Sequence, residues 1–372
     1  MSTSFLSDTH RALAAHARTV TEPLEPKGPC DDVALARQVA ATGLYPYLVP
    51  RAYGGALESV EVLSLCVLRE ELAYRSAAAD SVFAVQGLGS YPVLLAGSEA
   101  QRQALLPQVA SGAALFAFAL TEPEAGSDLK AISTRAVRSG DDYLISGQKR
   151  FISNAGVATH YTLFARTGDA EGSLSAFVIP SRAPGFRVSA KMELLGEHPI
   201  GELELADCRV PATARLGQEG AGMRLALSTL DVFRCTVGAA AIGMGRRALD
   251  EAVAYAKARR QFGAPLAELG AVQALLADSA VDLEASRLLV HRAAAVKDSG
   301  QARITYEAAV AKLFATEAAQ RVVDRCLQVH GGNGLVKGSP MERLYRDVRA
   351  LRIYEGASEV QRLVIARQLL GH

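Results

Sequence analysis

Near Ala114 the spacing of apolar residues changes from a helical period to alternation, and after Gly220 it changes back. A chain that switches period twice folds as helices, then strands, then helices, so its fold class is α+β with the strands gathered in the middle. The expected units are an N-terminal helical domain over 1–113, a middle antiparallel β domain over 114–218 and a C-terminal four-helix bundle over 219–372. At 372 residues the chain exceeds what one core usually serves, which agrees with two or three domains.

In the first unit, helical runs at 33–41, 57–75 (long and amphipathic) and 81–95 are punctuated by Pro46, Pro50, Gly54 and Gly55. Ser98-Glu99-Ala100-Gln101 has the serine and glutamine of a capping box, so a helix starts there and reaches Leu106. Leu6, Leu13 and Val20 fit one face of an N-terminal helix, although the same stretch, with two arginines, two histidines and one acid, also looks faintly like a transit peptide. Six segments rich in branched and aromatic residues, at 114–120, 143–146, 160–165, 174–179, 186–190 and 201–205, predict the antiparallel sheet. Alanine-rich stretches at 223–260, 266–297, 304–329 and 339–370 are joined by short loops, as in a bundle.

Lysine plus arginine total 40 against 39 acidic residues, a formal charge of +1, which removes the electrostatic case for nucleic acid or an anionic membrane as partner. No apolar run reads as a membrane span, and no secretory h-region precedes a cleavage site. The five cysteines, Cys30, Cys66, Cys208, Cys235 and Cys326, are scattered, with no CxxC spacing, so a reducing, cytoplasmic setting and no metal site are expected. With no GxGxxG after a strand and no Walker loop, neither a Rossmann nor a P-loop nucleotide site is available.

The chemistry points to the C-terminal stretch. Ser339-Pro340-Met341-Glu342 has the form of a capped helix start, and the helix is expected to run through Leu344, Val348, Leu351 and Ile353. Gly356 supplies a permissive C-terminal residue, and Ser358 is placed to cap a second helix. Glu355 therefore falls at a joint between two helices, where loss of hydration makes a carboxylate a stronger base. The alternative is an ordinary exposed glutamate before a helix end. In the β unit, LTEPEAGSD (120–128) ends a strand in a turn that presents amides and hydroxyls, as either a ligand loop or a solvated hairpin. Phe151 and Ser153 of GQKRFISNAG alternate on one strand face, an aromatic and a hydroxyl suited to the face and edge of a planar heterocycle, though a lone phenylalanine is more often core.

Taken together, LTEPEAGSD, GQKRFISNAG, KARRQFGAPL, QVHGGNG and RIYEGASEVQR, in this order and spacing, closely resemble the acyl-CoA dehydrogenase family of flavoenzymes, from about residue 40 to the C-terminus. The resemblance implies FAD as cofactor and α,β-dehydrogenation of an acyl-CoA thioester, with Glu355 taking the α proton while the β hydrogen leaves as hydride to flavin N5. It places Phe118, Leu120, Thr121, Gly126 and Ser127 against the flavin and thioester, and Phe151 and Ser153 beside the flavin, where the family often has tryptophan and threonine. Arg259, Phe262, Gln328 and Gly332 match residues that hold the FAD pyrophosphate and adenosine, partly across a subunit interface. Asp231 and Arg234 match a pair near the CoA portion, and Ser127, Tyr354 and Gly356 stand beside the substrate. An electron-transfer flavoprotein as electron acceptor and a homotetramer are further implications.

Three departures stand out. Gly270 replaces a glutamine that commonly contacts FAD, and Ala357 replaces a threonine after the Glu-Gly pair, so FAD is expected to be partly lost on purification. Loop 194–199 lacks the family's frequent arginine and carries His198, which either touches substrate or caps a turn. Arg75 is the remaining candidate for pairing a second substrate carboxylate. Competing readings are a same-fold oxidase, a dehydrogenase of carrier-protein-bound acyl groups, and a non-catalytic helical assembly protein.

Overall fold

The protein is described by a computed structural model covering residues 5–26, 28, 31–169 and 173–371, so Cys30 lies outside the described residues. The first unit contains α1 (Asp8–Val20), α2 (Asp32–Ala41), α3 (Val62–Arg75), α4 (Ala77–Ala96) and α5 (Glu99–Ser111). The strands are β1 (Phe116–Ala119), β2 (Arg135–Ser139), β3 (Asp142–Ser153), β4 (His160–Arg166), β5 (Leu174–Pro180), β6 (Phe186–Lys191), β7 (Ile200–Pro211) and β8 (Arg215–Leu216). After them come α6 (Gly222–Ala258), the short hairpin β9 (Arg260–Gln261) and β10 (Ala264–Pro265), then α7 (Gly270–Asp298), α8 (Thr305–His330), α9 (Pro340–Val348) and α10 (Ser358–Leu370).

The capping box at Ser98 forms: its hydroxyl accepts from the Gln101 amide, and the Gln101 side chain accepts from Ser98 N at 2.8 Å. The helix runs through Pro107 to Ser111, past the expected end at Leu106, before Gly112 closes it with φ of 75°. The stretch expected to be an amphipathic helix from Leu57 starts at Val62 and is buried from Val62 through Ala73. Its charged residues face partners instead of water: Arg246 of α6 bonds Glu70 at 2.8 Å and Glu71 at 2.6 Å, and Arg287 of α7 bonds Glu70 at 3.1 Å. The first amides of α3, Val62 N and Leu63 N, are capped by Asp298 at 2.7 and 2.8 Å, from the far end of α7.

The sheet order is β6-β7-β3-β2-β4-β5-β8, with β1 added on β4. Most pairings are antiparallel, but β1 runs parallel to β4, and β2 meets β4 in a parallel bridge at Arg135 and Arg166, so the sheet is mixed and not purely antiparallel. Phe116, Phe164 and Val178 point into the core shared with the helices, and Ala117, Leu163 and Ile179 into a second core on the opposite face. β2 gave little sequence signal, because only Ala136 of RAVRS is buried.

Against the sequence expectation, α6 is long and apolar enough to cross a membrane, with 37 residues and an 18-residue window of mean hydropathy 1.5. Its apolar window is 89% buried inside the protein, because α6 is the helix that the others surround. Glycine permits that crowding: a Cβ at Gly243 would stand 2.2 Å from the Glu70 carbonyl oxygen of α3.

Candidate active site

The joint around Glu355 forms differently from the expected two capped helices. Ser339 caps α9 by accepting from Glu342 N at 3.2 Å, but the Glu342 carboxylate takes the Gly338 amide instead of the Ser339 amide. The helix ends at Val348 and tightens into a 3-10 turn over Arg349–Arg352, leaving Ile353 59% exposed. Ser358 is not a cap: Ala357 holds the N-cap position without a side-chain bond, and the Ser358 hydroxyl donates to Glu317 at 2.6 Å. Between the helices, Glu355 and Gly356 both adopt left-handed backbone, with φ of 52° and 94°. That conformation is costly for a glutamate and persists only where its surroundings hold it.

Three side chains hold it. Arg234 Nε donates to the Glu355 carbonyl at 3.1 Å, and Lys312 Nζ donates to the Gly356 carbonyl at 2.8 Å. Gln361 Nε2 reaches the same Gly356 carbonyl at 3.0 Å. Arg234 is fixed in turn by Asp231 at 3.0 Å, and Asp231 by the Thr305 hydroxyl at 2.7 Å. Asp231 and Arg234, expected near the CoA portion, are buried beneath the base's loop, with Arg234 Nη1 on Asp231 and its Nε on the Glu355 carbonyl.

The Glu355 carboxylate itself is left free: Oε2 is out of contact with solvent and has no hydrogen-bond partner. Burial pushes its pKa up, and the nearby Arg69, Lys312 and Arg234 cations only partly offset that. Lys312 is itself pulled down by burial to about 8. The Glu355 and Gly356 amides donate to no acceptor among the described residues. The site therefore offers a desolvated base beside unused N–H donors, an arrangement suited to removing a proton next to a carbonyl.

A second group lies on the sheet. Phe118 packs on Phe164 with ring centroids 5.0 Å apart, Leu120 is buried, and Thr121 is half-buried with its carbonyl accepting from Arg150 N at 2.9 Å. Gly126 and Ser127 are exposed and make no hydrogen bond among the described residues. The loop that carries them is anchored by Glu122, which accepts from Ser133 N at 2.7 Å, Ser133 Oγ at 2.8 Å, Thr134 N at 3.0 Å and Lys149 Nζ at 2.8 Å. Lys149 also donates to the Leu120 carbonyl at 3.1 Å. Against the cost of burial, Lys149 and these bonds hold Glu122 down at about 2.

The anchor escaped the sequence analysis, yet strand parity contained it. Tyr143 and Ile145 face inward, and the same parity carries Lys149 to the inward face. A bulge between Lys149 and Ile152 then changes the register, and Phe151, with φ of 56°, turns outward while Ile152 turns in. Ser153 Oγ lies 3.1 Å from His198 Nε2, and the His198 ring also bonds the Gly196 backbone, so it supports this hydroxyl while capping its own turn. Burial lowers the His198 pKa, which favours its neutral form.

A third group sits where α6 ends. Arg259 closes α6 just before the β9–β10 hairpin, and Phe262, in the hairpin's turn, is 91% exposed with φ of 51°. Gln328 and Gly332 are exposed near the end of α8, which meets the hairpin side through Tyr255: its ring stacks on His330 with centroids 4.5 Å apart, and its hydroxyl accepts from Asn333 at 2.8 Å. Gly270 opens α7 with nothing near its absent side chain. The residues present fit FAD: two aromatic rings, Phe151 and Phe262, are turned outward by left-handed backbone, and Gly126 and Ser127 offer unused polar groups.

Family models for the N-terminal, middle and C-terminal domains of acyl-CoA dehydrogenase match residues 5–113, 117–208 and 220–370. The chain is 40% identical to cyclohexane-1-carbonyl-CoA dehydrogenase of Geobacter metallireducens over 331 residues, 88% of this chain and 87% of that protein. Its fold is similar to butyryl-CoA dehydrogenase from Megasphaera elsdenii, with TM-score 0.94, 34% identity and full coverage of both chains. It is also similar to a glutaryl-CoA dehydrogenase from Mycobacterium smegmatis in complex with FADH2, with TM-score 0.91, 29% identity, and 99% and 96% of the two chains covered.

Proposed function

Because this chain belongs to the acyl-CoA dehydrogenase family, whose members depend on FAD, we propose that it converts an acyl-CoA thioester to the trans-2-enoyl-CoA with Glu355 as the α-proton base. The observation that carries the reading is the buried, unpartnered Glu355 Oε2. An α C–H bond is a poor acid, so removing its proton needs both a strengthened base and stabilisation of negative charge on the thioester oxygen. Desolvation strengthens the base, and the unused Glu355 amide is the donor for the oxygen. Bound FAD supplies the acceptor for the hydride that leaves the β carbon. Phe151, Ser153, Thr121, Gly126 and Ser127 would hold its ring system, and Arg259, Phe262, Gln328 and Gly332 its phosphates and adenosine. Tyr354 and Gly356 flank the acyl thioester, and Asp231 with Arg234 keeps the base's loop in place.

Arg234 and Arg259 are separated along α6 by 25 residues, roughly 37 Å of helix. That separation is more than one dinucleotide spans, so the third group is assigned to the FAD of another copy of the chain. Exposed Phe262, Leu335, Val336, Leu369 and Leu370 agree with such an assembly, and we assign a homotetramer with an electron-transfer flavoprotein as electron acceptor. Arg75 pairs with Glu25 only at 4.0 Å, lies over the Tyr74 ring and keeps a buried Nε without a partner, so it remains the candidate for pairing a second carboxylate on the acyl group. The test is anaerobic bleaching of the flavin absorbance by a panel of acyl-CoA thioesters, with Glu355→Gln as the control.

A further inference from the structure

Arg69, on α3, is 2% exposed and is bonded by neighbours from two other helices. Its Nε and Nη2 donate to the two oxygens of Asp80 on α4, at 2.9 and 2.7 Å, and its Nη1 donates to the Thr236 hydroxyl of α6 at 2.8 Å. These bonds leave two guanidinium N–H groups beside the Tyr354 hydroxyl, which Arg69 also bonds, one residue before Glu355; the Arg69 charge acts on the Glu355 carboxylate, whose Oε2 no donor captures. Thr236 lies two residues along α6 from Arg234, which holds the Glu355 carbonyl.

We propose that Arg69 is a positioning residue of the reaction: clamped by Asp80 and Thr236, it presents a fixed positive charge that keeps the Glu355 carboxylate ionised without capturing it. An arginine free to swing would form a bidentate pair with Glu355 and disable the base. The Asp80 carboxylate and Thr236 hydroxyl prevent that by engaging three of its five N–H groups. Asp80 also sets the size of the effect, since its negative charge screens part of the Arg69 charge from Glu355. The charged and titratable groups facing Glu355 are Arg69 from α3, Asp80 from α4, Arg234 from α6, Lys312 from α8 and the neighbouring Tyr354. Arg234 and Lys312 grip backbone carbonyls of the base's loop, whereas Arg69 is held by side chains of two other helices and reaches the loop at Tyr354.

The inference rests on Glu355 being the base, and its test separates the two claims. Glu355 ionisation is read by infrared difference spectroscopy of the FAD-loaded enzyme across a pH series, its band assigned by its loss in Glu355→Gln. Asp80→Asn keeps the shape and removes the screening charge, so the Glu355 midpoint falls by roughly half to one pH unit. Arg69→Met removes the cation, so the midpoint rises by about one unit or more, and Arg69→Lys restores it in part. A purely structural role gives no such opposed pair of shifts. If Arg69→Met does not fold, Asp80→Asn decides alone, and an unchanged or raised midpoint there overturns the proposal. Flavin bleaching that survives in Glu355→Gln refutes the base assignment, while the infrared midpoints still decide the role of Arg69.

Discussion

Lys149→Met removes the cation from the anchor beneath the ligand loop and leaves the Glu122 carboxylate buried beside three neutral donors from Ser133 and Thr134. Both side chains are almost fully shielded, at 0% and 2% exposure, so water does not replace the lost charge. Breaking a buried pair on one side costs about 3–5 kcal/mol. For a chain of 372 residues unfolding as one unit that is a fall in Tm of roughly 4–6 °C. The Leu120 carbonyl also loses its donor, so FAD, which this strand end and loop would hold, is retained less well. Glu122→Gln with Lys149→Met leaves no buried charge and recovers much of the loss, giving a coupling energy of about 2–3 kcal/mol in the double-mutant cycle. Acid gives an independent check on the same pair. Glu122 titrates at about 2 in the fold against an ordinary 4.5, so its stabilising share is full above 4.5 and disappears as pH falls towards 2. The assay is thermal unfolding of FAD-loaded protein, monitored by flavin release and circular dichroism. A Lys149→Met variant less than about 1 kcal/mol weaker, or a double variant as weak as the two singles summed, refutes the reasoning.

Three other expectations follow from named positions. Ala357→Ser places a hydroxyl at the uncapped start of α10 and stabilises the protein by about 0.5–1 kcal/mol in thermal unfolding. Phe151→Gly relieves left-handed backbone and leaves stability within about 1 kcal/mol of the parent, yet it weakens FAD binding several-fold in a fluorescence titration, because the aromatic face is gone. The rate of flavin bleaching by a thioester falls as pH drops through the raised Glu355 pKa, since the base must be ionised, and the midpoint in a stopped-flow pH series lies above the ordinary 4.5.

The legible parts of this protein are those set by neighbours in sequence. The capping serines at Ser98 and Ser339, the left-handed Gly356 and the six main strands follow from local pattern. What stayed hidden depends on partners far along the chain. Asp298 caps α3 from 235 residues away, and the grip on the Glu355 loop comes from Arg234, 121 residues earlier. Local pattern also misled where tertiary packing overrode it. The polar residues of α3 read as a solvent face but meet arginines, and Ser358, a good cap by type, finds Glu317 instead. Local pattern put Glu355 at a helix joint as a candidate base, and the resemblance favoured it over an exposed glutamate; the unpartnered Oε2 became visible only with the packing around it.

The central claim is that the unpartnered carboxylate of Glu355 removes the α proton of a bound acyl thioester. The most direct measurement is the flavin absorbance spectrum of the FAD-loaded protein under anaerobic conditions while butyryl-, branched, long-chain and cyclohexanecarbonyl-CoA are added, with Glu355→Gln in parallel. The account predicts bleaching by one class of thioester and a rate at least about a hundredfold lower in the variant, the share usually supplied by a positioned base. Bleaching at equal rates in both proteins, or a fully loaded flavin that no thioester reduces, contradicts it.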